Sequence, residues 1–401
     1  MSAVTQTGPS KSSGPYVGEV VYLYAYDVAY ELRGPVEKLL GRPGKQYSMA
    51  ATRRMPREPF FYQPLVFDLP PLEGVGPAGP VQLRGTVKLF SVGSISLAIR
   101  VPFQVQKLED LVVYHDLRLA GGPLHAEARK MAERILEELR PYCIRPVKSL
   151  KEDEAYTVFC LHAPLPASAG AATDGAPPAA APGAAPGAEA WLQANRRLVA
   201  AILTEERDMD SLSLQEASES TGLYLSYYET DLAVIDWDAA MVVDEPEDIE
   251  EVLHVMELAN VQLMELGVFD QILDDAVGRA YRDLRKDPWD GKGEPHRRWR
   301  DRRDVQRDLG EIRIDLERLR DELFNITKFF GDWHLARVYQ HLSSRFHLAE
   351  WSRTIEGKLR TLNEFYQILK ADQNNRVMLF LEVIIVVLFV IDLVVLVMGL
   401  K

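Results

Sequence analysis

The chain has 401 residues, 26% of them charged, with a formal net charge of −13. An acidic balance of this size excludes a chain that wraps nucleic acid over its whole surface. Its two cysteines, Cys143 and Cys160, exclude a disulfide-stapled scaffold, and their spacing matches no metal motif.

Residues 1–15, MSAVTQTGPSKSSGP, are polar with no apolar h-region, so a disordered start without a signal peptide is expected. An α/β domain is expected over 16–162. Glu19–Tyr30 is rich in Val and Tyr and reads as a strand, and Val81–Val101 as two strands broken near Gly93. Leu108–Leu119 and His125–Leu139 carry helical periodicity, and Tyr156–His162 returns to strand character. Gly41-Arg42-Pro43-Gly44-Lys45 lacks the glycine spacing and the following Ser/Thr of a phosphate loop. Arg53, Arg54 and Arg57, followed by Phe60, Phe61 and Tyr62, suit either a solvated connection or an RNA contact through phosphates and stacking.

Residues 163–189 are dominated by Ala, Pro and Gly and read as a semi-extended linker. Charge shifts beyond it. Residues 1–162 hold 20 basic and 17 acidic residues, 163–295 hold 8 and 27, and 296–401 hold 18 and 15. The acidic block fits a solvated surface or a basic partner.

A mixed, then helical, second domain is expected over 190–375. It opens with a helix over Trp191–Glu205, and residues 223–246 suit two or three strands with turns at Thr230–Asp231 and Asp236–Asp238. A long helix follows over Ile249–Leu284, broken by the Pro- and Gly-bearing stretch 287–303. Leu309, Ile312, Leu316, Leu319, Leu323, Ile326, Phe330 and Trp333 are spaced 3-4-3-4-3-4-3, a heptad seam of coiled-coil type. The spacing leaves open whether the seam closes within the chain or between copies. Gly331 and Asp332 suit a helix end and a helix start, after which Leu335, Val338 and Leu342, then Leu348 to Leu369, continue helical spacing.

Residues 376–400 are expected to form a transmembrane helix. Nineteen of the 24 residues Val377–Leu400 are Val, Leu, Ile or Phe. The segment reaches about 36 Å, against a hydrocarbon core of about 30 Å. Glu382 and Asp392 interrupt it, as tolerated acids or as helix contacts. Lys358, Arg360, Lys370 and Arg376 precede it and only Lys401 follows, so the body is expected on the cytoplasmic side, with a bacterial inner membrane as the setting.

The fold class expected is therefore α+β with long C-terminal helices and one membrane span. Scattered histidines, among them His334, His341 and His347, form no metal pattern, and the acids Asp236, Asp238, Asp244, Glu245, Glu247 and Asp248 do not have calcium-loop spacing. No catalytic, cofactor or metal site is expected, and the chain reads as non-enzymatic.

Three stretches carry a family likeness: IEEVLHVMELANVQLMELGVFDQILD (249–274), GKLRTLNEFYQIL (357–369) and LEVIIVVLFVID (381–392). They resemble the "required for meiotic nuclear division" family of bacterial and mitochondrial membrane proteins. Members end in Leu-Glu-Trp, an Ile-rich stretch and a second acid ten residues after the first. Leu381-Glu382 and Asp392 keep that spacing, and Val383 stands in place of the Trp. The resemblance implies an inner-membrane protein that forms large assemblies and supports translation. Together these readings lead to a tail-anchored, self-associating scaffold, with a membrane tether for a ribosome or RNA as the alternative.

Overall fold

Residues 16–27, rich in Val and Tyr and buried at every position from Val20 to Tyr26, make one long strand with both faces covered, and the rest of the fold is laid against it. The computed structural model describes residues 15–33, 36–47, 64–77, 79–119, 122–150, 153–163, 165, 187–285, 313–314, 333–397 and 399. The strands are β1 (Tyr16–Asp27), β2 (Ala29–Leu32), β3 (Lys38–Leu39), β4 (Arg42–Pro43), β5 (Lys45–Gln46), β6 (Leu65–Asp68), β7 (Leu72–Gly76), β8 (Gly79–Leu89), β9 (Ser94–Val105), β10 (Arg118–Leu119), β11 (Gly122–Pro123), β12 (Cys143–Pro146), β13 (Asp153–His162), β14 (Tyr224–Leu225), β15 (Leu232–Ile235) and β16 (Ala239–Asp244). The helices are α1 (Leu124–Leu139), α2 (Ala188–Leu203), α3 (Leu214–Ser220), α4 (Pro246–Arg285), α5 (Trp333–Arg345) and α6 (Leu348–Val397). The fold is α+β: a large mixed sheet with long helices towards the C-terminus.

Among the described residues, twelve strands share one sheet. Its order is β11-β10-β7-β8-β9-β1-β13-β16-β15-β14, with β6 on β8 and β5 on β6. The β8–β9 hairpin forms as its sequence suggests. Gly93 takes φ +91°, which glycine adopts without strain. Its carbonyl accepts the N–H groups of Val28 and Ala29, so the turn also fixes the end of β1.

The structure differs from the sequence reading in two places. Leu108–Asp116 is a 3-10 helix that ends before β10, not a longer α-helix, because Arg118 and Leu119 are drawn into pairing with Val75 and Gly74 of β7. The Ala/Pro/Gly tract also does not separate two sheets. β13 on its near side pairs in parallel with β16 on its far side, Thr157 opposite Ala239 through His162 opposite Asp244. A parallel pair needs a long crossover, and that tract together with α2, α3, β14 and β15 supplies it.

Two compact units result: residues 1–265 with 323–349, and residues 266–322 with 350–401. In the first, the sheet is covered on both faces. Tyr22, Tyr24, Leu97, Ile99, Phe159 and Met241 meet residues of α1, α2 and the 3-10 helix in one core. Trp191 of α2 is wholly buried there. Burying each such large apolar side chain is worth roughly 1.5–3 kcal/mol. Residues of the opposite parity, such as Lys88, Ser94, Ser96 and Arg100, point to the other face, which the first half of α4 covers. There Tyr156 meets Phe346 edge-on, and Arg345 of α5 pairs with Asp236 at 3.1 Å while donating to the Glu219 carbonyl at 2.9 Å.

The second unit holds the later part of α4 and most of α6. Lys358 bridges Asp270 and Asp274, at 2.7 Å each, and Tyr281 packs edge-on against Phe365 at 5.1 Å between ring centres.

Candidate functional site

Among the described residues, two helices are long and apolar enough to cross a membrane, and burial separates them. Within α4, Pro246–Arg279 has mean hydropathy 1.3 and is largely buried, as a core helix of the sheet layer is. Within α6, the 19 residues Met378–Leu396 have mean hydropathy 3.1 and none is buried. A run of this length spans about 28 Å as a helix, close to the thickness of a hydrocarbon core. It leaves a continuous apolar surface on every side of the helix, well beyond what the surface of a soluble protein ordinarily exposes. Glu382 and Asp392 both lie on this exposed helix.

The strongest electrostatic feature lies in the first unit, where α4 crosses the sheet. The Lys88 ammonium on β8 donates to the Glu257 carboxylate on α4 and lies 3.3 Å from Nδ1 of His254. All three side chains are nearly inaccessible. Tyr47 closes the cluster: its ring lies 4.1 Å from that of His254, and the Lys88 ammonium sits 4.7 Å from its centre. Burial, and then the Lys88 charge, push the His254 pKa down to about 4. The imidazole is therefore neutral, Nδ1 accepts from Lys88 and the ring proton sits on Nε2. Burial works against the Glu257 charge, but Lys88 outweighs it and holds this carboxyl below its ordinary range.

The same face of α4 continues the pattern. Ser94 on β9 donates to Glu265, and Asn260 donates to the Glu154 carbonyl at 3.1 Å. At the start of the helix, Arg100 on β9 grips Glu250 with both guanidinium nitrogens and reaches Glu19 on β1 at 2.8 Å. Burial opposes the Arg100 charge, and the two carboxylates more than restore it. These pairs set the register of α4 on the sheet. A helix slipped by one turn leaves several charges buried and unpaired, each costing several kcal/mol.

Lys88, His254 and Glu257 were not singled out in the sequence. The available signal was placement: Lys88 stands in the strand run Val87-Lys88-Leu89, and His254 and Glu257 interrupt an otherwise apolar helix.

Arg53, Arg54 and Arg57 lie outside the described residues, as do Leu309, Ile312, Leu316, Leu319, Leu323, Ile326 and Phe330 of the heptad seam. Trp333, the last seam position, is the first residue of α5 and is 74% exposed. The three histidines do not converge. His334 sits 4.0 Å from Asp231, and His347 lies against the Trp237 ring. Among the described residues no group of His, Cys, Asp or Glu is arranged to hold a metal ion. Of the clustered acids, Asp236 is taken by Arg345, and Asp244 caps the Glu245 N–H at 2.8 Å. Both cysteines are free thiols.

Comparison with known proteins places a family model described as "Uncharacterized protein MJ0711, N-terminal domain" on residues 17–249. The uncharacterized protein MJ0711 of Methanocaldococcus jannaschii is 23% identical over 206 residues, covering 51% of this chain and 61% of that protein. The chain thus spans less than two thirds of the length of this relative. No solved structure matches. The family match runs from the second residue of β1 to Ile249 and so takes in nearly the whole sheet.

Proposed function

We propose a membrane role for this chain, which belongs to the MJ0711 N-terminal domain family: it is a non-enzymatic scaffold, anchored by α6, that self-associates. The observation that carries the reading is the exposed apolar run Met378–Leu396. The nineteen Val, Leu, Ile and Phe residues of Val377–Leu400 contribute roughly −6 to −11 kcal/mol to insertion at about −0.3 to −0.6 each, and an acid costs about 2.5–3.5 at mid-span. Insertion therefore outweighs the acids. Lys358, Arg360, Lys370 and Arg376, ahead of the span, support a cytoplasmic body. Support for self-association comes from the heptad spacing of 309–333 and from the resemblance of the later helices to an assembling membrane family.

The test is membrane extraction. The full chain should resist alkaline carbonate and float with vesicles. A chain lacking residues 377–401 should stay soluble. Retention of the truncated chain in floated membranes refutes the anchor. A monomer mass for the full chain in mild detergent refutes self-association.

A further inference from the structure

A half-open groove of about 710 Å³ lies on the first unit beside the start of α4, lined among others by Arg42, Arg84, Arg100, Gln82, Thr86 and Glu250. Three guanidinium groups and three carboxylates line it, and they are unevenly paired. Arg84 on β8 stands directly opposite Arg100 on β9. Two like charges facing each other across an antiparallel pair repel, so the arrangement needs compensation. Arg100 has it from Glu19 and Glu250. Asp68, a third carboxylate on the groove wall, has its own cation in Lys45 at 3.3 Å. Every acid lining the groove is thus committed. The Arg42 and Arg84 side chains form no ion pair or hydrogen bond among the described residues. The groove therefore keeps two guanidinium groups without a carboxylate partner, with the Thr86 hydroxyl and the Gln82 amide beside them.

We infer that this groove is a binding site for a phosphate-bearing anion, held by Arg84 and Arg42. Two separate guanidinium forks call for a ligand with about two negative charges and several acceptor oxygens, which a phosphate provides and a single carboxylate does not. The Arg100–Glu19–Glu250 cluster is the positioning element. It ties β1, β9 and α4 together at one corner, and its two carboxylates on one guanidinium keep Arg100 from competing for the ligand. The groove leaves room beside one phosphate for an organic portion of the ligand. That phosphate belongs either to a soluble phosphorylated molecule or to a lipid headgroup. The site does not depend on the anchoring role of α6.

The experiment is calorimetric titration of the full chain in neutral detergent with inorganic pyrophosphate, against sodium chloride at matched ionic strength. Saturable pyrophosphate binding is expected, weakened about tenfold or more in Arg84→Glu and in Arg42→Glu, and less in Arg84→Lys, which keeps the charge but loses the fork. Micelles doped with phosphatidylglycerol distinguish the source. Displacement of pyrophosphate identifies a headgroup site, and undisturbed binding identifies a soluble phosphorylated ligand. No saturable binding by the wild type overturns the proposal. So does unchanged affinity in both charge-reversal variants with unaltered circular dichroism.

Discussion

Lys88 and Glu257 stand 169 residues apart in the chain and meet as a buried ion pair between the sheet and α4. The pair couples the early strands to the helix that follows the last one. Removing one partner leaves the other charged in an apolar setting. Glu257→Leu is therefore expected to cost about 3–5 kcal/mol. Lys88→Met combined with Glu257→Leu should cost clearly less than the two single changes added together. Denaturant midpoints of the full chain in detergent report both. A single-variant loss below about 1 kcal/mol would show that water reaches the pair.

His254 gives the cluster a pH signature. Its folded pKa, about 4, lies below the ordinary 6.5. Between these values the unfolded chain binds the extra proton and the folded chain does not. Stability from this group is complete above 6.5 and falls as pH drops towards 4, by up to about 3 kcal/mol. Asp27 and Asp244 act in the opposite sense. Burial raises each to about 6, so their contribution is present at low pH and is lost as pH rises through 6. The readout must therefore be a difference. The stability gap between wild type and His254→Gln is expected to narrow as pH falls from 6.5 to 4. A gap that stays constant across this window would mean that His254 keeps its ordinary pKa.

Gly93 tests the hairpin. A Cβ at this position would meet the Ala29 carbonyl oxygen at 1.8 Å, and its φ of +91° is one that other residues rarely adopt. Gly93→Ala is expected to lose about 2 kcal/mol or more, from strain and from displaced hydrogen bonds to Val28 and Ala29. Gly41→Ala, also at positive φ but with open space around it, should lose less. Thermal midpoints that rank the two variants the other way would contradict the turn geometry.

Local signals carried most of the secondary structure. The helix expected over His125–Leu139 is α1 (Leu124–Leu139), and the one expected over Ile249–Leu284 is α4, because amphipathic or apolar spacing over fifteen or more residues admits no strand. Val81–Val101 divides at Gly93 into β8 and β9 because positive φ marks the turn. What stayed hidden was non-local. Nothing near Tyr156–His162 indicates that it pairs with Ala239–Asp244 across the Ala/Pro/Gly tract, since a parallel register is set by burial on both faces of a finished sheet. The Lys88–His254–Glu257 cluster was hidden for a related reason. Lys88 in isolation resembles any solvated strand lysine, and only the packing of α4 buries it.

Asp392 offers the sharpest test of assembly. Glu382 and Asp392 are ten residues apart, which on an ideal helix turns them about 80° from each other, so they border one broad face. Both lie on an exposed stretch of α6. An acid in a membrane span is costly unless another helix or water satisfies it, and a hydrogen bond across a helix contact is one way to offset its desolvation. Under the proposed self-association that second helix belongs to another copy. Asp392→Leu should then ease insertion by up to about 2.5–3.5 kcal/mol and at the same time weaken assembly. Asp392→Asn should weaken assembly less, because the amide still donates and accepts. Crosslinking yield of the full chain in native membranes measures the second effect, and carbonate resistance controls for the first. Equal crosslinking for wild type, Asp392→Asn and Asp392→Leu would reduce Asp392 to an acid the span merely tolerates and would move the association to the body helices.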